Sequence, residues 1–297
     1  MVMSASATTP NELRAGALRR RWWRRHRDGF GSLAAAGPAL LFLLVLYLIP
    51  MAMLLAQSFE GASLPHYQKA LTDDLYLRVL FDTLLIAACV SLLCLVLAYP
   101  VAYALSILPS PWPAVGIAFI LLPFWTSVLV RTYGWMVLLG RNGLINRMLS
   151  DLGVIETPLP LLNNMTGVLI GMTHVLLPYM VFPLYAVMRR MDPNLAQAAR
   201  GLGASGWDVF RRIYLPLTLP GVLAGMTLVF VLSIGFFITP ALLGGGKVHM
   251  MAVLIEQQVR MFLNWGFAGA LSAVLLGATL LVYIVLRRLL RGNMQWS

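Results

Sequence analysis

Gln197, Ala198, Ala199 and Gly203, followed by Ile213, Leu215 and Pro216, are residues suited to recognition rather than bond-making. They lie in the stretch DPNLAQAARGLGASGWDVFRRIYLP, from Asp192 to Pro216. Asp192 before Pro193 starts a helix, because Asp accepts orphan amide hydrogens and Pro at N1 fixes φ without losing a needed donor. Leu195 to Arg200 continue it, and Gly201 and Gly203 supply positions where a left-handed turn costs little. Ser205 and Asp208 have capping-box spacing and open a second short helix. Trp207, Phe210 and Ile213 form an apolar stripe on it, flanked by Arg211 and Arg212, and Ala196, Ala198 and Ala199 leave room for another backbone. From residue chemistry alone the stretch is either a hairpin lying on a membrane or a surface to which a soluble partner docks.

Covalent chemistry has weaker support. The four histidines are scattered, so metal-ligand spacing is missing. No nucleophile–base set or HExxH spacing lies in an apolar segment, and no G-x-x-x-x-G-K-[ST] phosphate loop occurs; Gly244-Gly245-Gly246-Lys247 has the wrong spacing. Cys89 and Cys94 share one apolar segment and read as small buried hydrophobes. The expectation is a chain that is not an enzyme and binds no metal or cofactor.

The element that must hold the polar stretch is a membrane bundle. Of 297 residues, 60% are hydrophobic and 11% charged, where a soluble domain has roughly a quarter charged. Six segments can cross about 30 Å of hydrocarbon: 33–56, 80–105, 114–139, 165–188, 217–243 and 267–290. Pro50, Pro100, Pro123, Pro178, Pro183 and Pro240 predict kinks in five of them. With the N-terminus inside, the inner regions 1–32, 106–113, 189–216 and the C-terminal end carry seven, no, five and three basic residues. The outer loops carry six: Lys69, Arg78, Arg141, Arg147, Lys247 and Arg260. This bias places both termini in the cytoplasm. The run Arg19-Arg20-Arg21-Trp22-Trp23-Arg24-Arg25 fits a topology anchor, and the charge of +11 does not point to nucleic acid.

The spacing Gln197-Ala198-Ala199, Gly203, Ile213-x-Leu215-Pro216 resembles the EAA loop, EAA-x3-G-x9-I-x-L-P, of permease subunits of binding-protein-dependent ABC importers. The stretches 121–146, 177–187 and 237–246 look like the spermidine/putrescine branch of that family, and the resemblance covers about 78–290. It implies an all-α, six-span type I ABC importer permease fold in a bacterial inner membrane, with 189–216 as the coupling loop, 1–32 a basic tail and 291–297 a second tail. Implied partners are cytoplasmic ATP-binding subunits carrying ATP and Mg, a second permease subunit and a periplasmic or lipid-anchored solute-binding protein. The motif's leading Glu is Gln197 here, so a charge-assisted contact is lost there.

A pathway is expected from Arg131 and Tyr133 near the outer end of the third span and from Ser233, Phe236, Phe237 and Thr239 in the fifth. Arg131 is costly inside a membrane, so it either snorkels to the outer interface, or pairs with Asp82, or with Tyr133 lines the outer mouth. By the resemblance, relatives associated with putrescine carry carboxylates at about Phe236 and Ala241, both apolar here. Gly221-x-x-x-Gly225 allows close helix crossing. The alternatives are a secondary transporter or channel working without ATP, and an intramembrane enzyme.

Overall fold

The computed structural model describes residues 37–59 and 64–293. The basic tail 1–32, residues 33–36 of the first expected span and residues 294–297 of the C-terminal tail lie outside them. Among the described residues every regular element is helical. The helix α1, Gly37–Gln57, forms one unit, with 21 residues and a mean hydropathy of 2.7. The second unit begins at Ser58.

In that unit α2 is Pro65–Thr72, α3 Asp74–Ile107, α4 Trp112–Leu121, α5 Val128–Leu139, α6 Leu144–Asp151 and α7 Met165–Met188. Then come α8 Pro193–Gly201, α9 Gly206–Val209, α10 Leu215–Ile234, α11 Ile238–Leu243, α12 Met251–Arg260 and α13 Trp265–Asn293. Among the described residues five helices are long and apolar enough to cross a membrane, and the bent pair 112–125 and 128–151 makes a sixth span if counted as one.

Two expected spans are broken. The third, 114–139, runs through α4 and a 3-10 turn at Leu122–Trp125 and then bends by 96° before α5. Pro123 flags the region, but Ser127 resets the chain: its side chain accepts from the Leu129 amide and caps a new helix. The fifth, 217–243, stops at Ile234, and Gly235–Phe237 separates it from α11.

Three helices build the core. On α3 the residues Val90, Cys94, Ala98 and Ala102, four apart, are fully buried and small enough to admit α7. Facing them are Met172, Leu176, Met180 and Leu184, also fully buried. Buried Cys94 donates its Sγ–H to the Thr173 carbonyl at 3.6 Å, as suits a packing thiol. The α10 helix closes against α7 through glycine. A Cβ at Gly225 would stand 2.5 Å from the Met180 sulfur, and one at Gly221 3.0 Å from the Pro183 carbonyl oxygen. The expected Gly221–Gly225 crossing is therefore a real close approach.

Side-chain hydrogen bonds fix the broken spans and the outer turns. Thr239 of α11 and Thr132 of α5 bond at 3.2 Å, and Thr132 donates onward to the Val128 carbonyl at 2.8 Å. Thr83 of α3 accepts the Met251 amide at 2.8 Å, which anchors the start of α12. The Gly244–Gly246 turn is pinned: the Asn163 amide donates to the Leu243 carbonyl at 3.0 Å, and Asn163 packs against Gly245 at φ 57°.

Candidate functional site

The loop between α7 and α10 has the caps its sequence predicts. Asp192 accepts from the Asn194 amide at 2.9 Å. Ser205 accepts from the Asp208 amide at 3.1 Å and donates its hydroxyl to the Asp208 carboxylate at 2.6 Å. Arg212 adds an exposed i,i+4 contact to Asp208 at 3.4 Å, which is worth little on its own.

The spacing from Ala199 to Gly203 has a geometric cause. Gly203 sits at φ 85° and donates to Arg200, while the Ala204 amide reaches back to the Ala199 carbonyl at 3.0 Å. That pair of bonds is a Schellman helix ending, which needs a left-handed residue four positions after the carbonyl it satisfies. Gly201, by contrast, belongs to α8 and has no left-handed φ.

The spacing from Ile213 to Pro216 also follows from the backbone. Phe210–Tyr214 forms a π turn, and the Leu215 amide bonds the Phe210 carbonyl five residues back. A proline at 216 has no amide to give the Arg212 carbonyl, and its ring would crowd that oxygen in a regular α-turn. Widening the turn by one residue relieves the clash. No sequence signal beyond Pro216 announced this π turn.

The loop exposes apolar side chains. Leu202 is 90% exposed, Trp207 68% and Leu195 45%, while Gln197 and Ala198 are exposed beside them and Ala199 is half-buried. Trp207 stacks on Phe210 with ring centroids 5.5 Å apart. Phe210 and Ile213 turn inward, so the expected stripe splits into an outer Trp207 and two groove-facing residues. Behind α8 lies a groove of about 780 Å³, walled by Tyr103, Ile107 and Met188 on one side and by Leu195, Ala196 and Gln197 on the other.

The expected pathway residues do not meet at one site. Ser233 and Thr239 are fully buried in helix packing, Phe236 is half-buried against the core, and Tyr133 and Phe237 are exposed. Arg131 is half-buried and makes no ion pair with Asp82: the salt bridges among the described residues are Arg212–Asp208 and Arg260–Glu256. The pairing fails because Arg131 belongs to α5, which packs on α6, α7 and α11 rather than on α3, the helix of Asp82. One turn along α5 from Arg131, Trp135 donates its indole N–H to His174 Nδ1 at 3.1 Å. Indole is donor-only, so this bond leaves the imidazole proton on Nε2. Trp135 and His174 stand 39 residues apart, and no local signal in the sequence marks the pair.

This broken-span bundle with a capped, outward-facing helix pair has counterparts. The family described as the binding-protein-dependent transport system inner membrane component matches residues 13–294. The chain belongs to that family. Its curated relatives include the spermidine/putrescine transport system permease protein PotB of Haemophilus influenzae, 35% identical over 86% of this chain and 93% of the relative. PotB of Escherichia coli is 39% identical over 78% of this chain and 86% of the relative. A bacterial ABC transporter for import of the acidic polysaccharide alginate shares the fold, with a TM-score of 0.71 at 17% identity over 93% of this chain and 100% of that one.

A member of this family is a permease subunit of an ABC importer with the type I fold, a multi-pass inner-membrane protein and not an enzyme. It works with a binding protein and an ATPase and has no cofactor of its own. Membership sets aside both a gradient-driven transporter or channel and an intramembrane enzyme.

Proposed function

We propose that this permease docks a cytoplasmic ATPase on the 189–216 loop and, paired with a different permease subunit, forms half of a pathway for a small organic solute of the polyamine-like class. The observation that carries the docking role is that an ordered, capped polar loop nonetheless exposes apolar side chains: Leu195, Leu202 and Trp207 stand out beside Gln197, Ala198, Ala199 and Gly203. Exposed apolar groups rimmed by charge mark a binding surface. Ile213, Leu215 and Pro216 set the junction with the span. ATP and Mg are held by the docked subunit. Both termini lie on the cytoplasmic side, as the arginine bias favours. The names of the two PotB relatives motivate the solute class.

Replacing Leu202 and Trp207 together (L202S/W207S) should leave the chain inserted but cut recovery of the ATPase on a tagged permease about tenfold. Unchanged recovery would remove docking from this loop.

In the pathway, Tyr133, Phe236 and Phe237 offer ring faces toward the partner half, and Ser233 and Thr239 hold the broken fifth span in register. Arg131 serves packing: the residue is half-buried and its Nε is enclosed without a hydrogen-bond partner. Arg131→Ala should therefore reduce assembled permease, measured by membrane yield, more than it alters solute preference in competition uptake. A changed preference at normal yield would move Arg131 into the solute path.

A further inference from the structure

The α8 helix hangs off the bundle: its packing is on α9 and the π turn, while the groove of about 780 Å³ separates it from the ends of α3 and α7. A push on α8 therefore reaches the bundle by packing through the α9–π segment, besides the short covalent junction 189–192 with α7. That segment leads covalently into α10 through a π turn, and Gly206–Ile234 runs on as one stretch of helix.

The lateral link is firm. Phe210 meets the Tyr99 ring edge-on at 6.0 Å, and Tyr214 meets Tyr103 edge-on at 5.1 Å. Tyr99 and Tyr103 lie four residues apart on α3 and so share a face. Edge-to-face pairs of this kind contribute beyond their area burial. Polar contacts run beside them. The Tyr99 hydroxyl lies 3.0 Å from Thr218 Oγ1, which itself donates to the Leu215 carbonyl. Arg189 donates to the Ser106 carbonyl at 3.2 Å, tying the end of α7 to the same stretch of α3.

We infer that Tyr99 and Tyr103 are positioning residues through which the push on α8 enters the bundle along α3, by their ring contacts with Phe210 and Tyr214, and that the groove is the clearance in which α8 tilts. This rests on the docking role proposed for the loop. The α9–π segment and the inner end of α3 then move as one body, and α8 moves relative to them.

The test uses the whole importer, isolated with its partner subunits, in proteoliposomes with liganded binding protein. Tyr103→Leu and Phe210→Leu keep apolar bulk but remove a ring edge. Each should retain the ATPase and its hydrolysis, yet lower solute taken up per ATP hydrolysed by about tenfold. Adding Tyr99→Leu to Phe210→Leu should change little further, because both break the same ring contact. Tyr103→Phe, which keeps the ring, should restore the ratio. Uptake and hydrolysis falling in proportion, or an unchanged ratio, would overturn the inference.

Should Tyr103→Leu fail to assemble, spin labels at residues 107, 195 and 211 decide the matter without it. The 107–211 distance should hold across nucleotide states while 107–195 changes. A 107–211 change of about one helical turn, roughly 5 Å, would overturn it. The two readings fail separately: L202S/W207S keeping its ATPase removes docking, whereas L202S/W207S losing it while Tyr103→Leu stays coupled removes only the ladder.

Discussion

Gly225→Leu should leave almost no assembled permease in the membrane. Even a Cβ at that position would come within 2.5 Å of the Met180 sulfur and 3.3 Å of the Met180 carbonyl oxygen, and Met180 is fully buried with nowhere to turn. Leucine adds three more carbons, so α10 would have to move away from α7 along the contact that Gly221 makes with Pro183 and Val187. Between membrane helices this loss is not made up by hydrophobic gain, since lipid tails are as apolar as leucine. Overpacking of this kind costs about 3 kcal/mol at the upper end, more than a hundredfold in the folding equilibrium. Size-exclusion profiles and unfolding temperature in detergent measure it. Gly277→Leu is the internal control, because a Cβ there meets nothing within 4 Å. Equal stability of the two variants would show that the α7–α10 crossing is not close-packed.

Gly203→Val should insert and assemble but lose transport. A Cβ at Gly203 meets nothing within 4 Å, so no clash is involved. The obstacle is the backbone angle: φ 85° suits glycine, and a β-branched residue held in the left-handed region loses about 1–2 kcal/mol. The helix ending that joins Ala199 to Ala204 opens to relieve it, and α8 loses its fixed angle to α9. Solute-stimulated ATP hydrolysis and uptake should both fall by about tenfold, the equivalent of 1.4 kcal/mol. Gly203→Asn, which tolerates the left-handed region better, should retain more activity. Normal stimulated hydrolysis in Gly203→Val would take the coupling role away from this glycine.

Much of this arrangement was legible from residue order. The fourth span was expected at 165–188 and α7 has those limits, because Asn164 caps it and Arg189 ends it. Asp192, Ser205 and Gly203 act locally, through hydrogen bonds and φ within one or two turns, so their roles could be read without knowing the fold. Non-local features were hidden. The 96° bend before α5 depends on Ser127 capping a helix that hydropathy alone merges with its predecessor. An Arg131–Asp82 pair was plausible by depth, but depth says nothing about which face of a bundle a residue occupies. The rings of Tyr99 and Tyr103 gave one faint clue, their spacing of four. Their partners 111 residues along the chain could not be inferred from it.

The length of α3 sets a boundary condition. Its 34 residues extend about 51 Å, while the hydrocarbon layer is about 30 Å thick. Tilting it enough to hide that excess would require an angle of roughly 54°, beyond the usual upper limit near 40°. The surplus must therefore stand in water as a short mast, and the end bearing Asp74, Arg78 and Asp82 is the stretch chemically equipped for it. A membrane-impermeant arginine reagent added from that side of sealed vesicles would find Arg78, whose side of the rod is exposed, whereas the apolar middle would stay out of its reach.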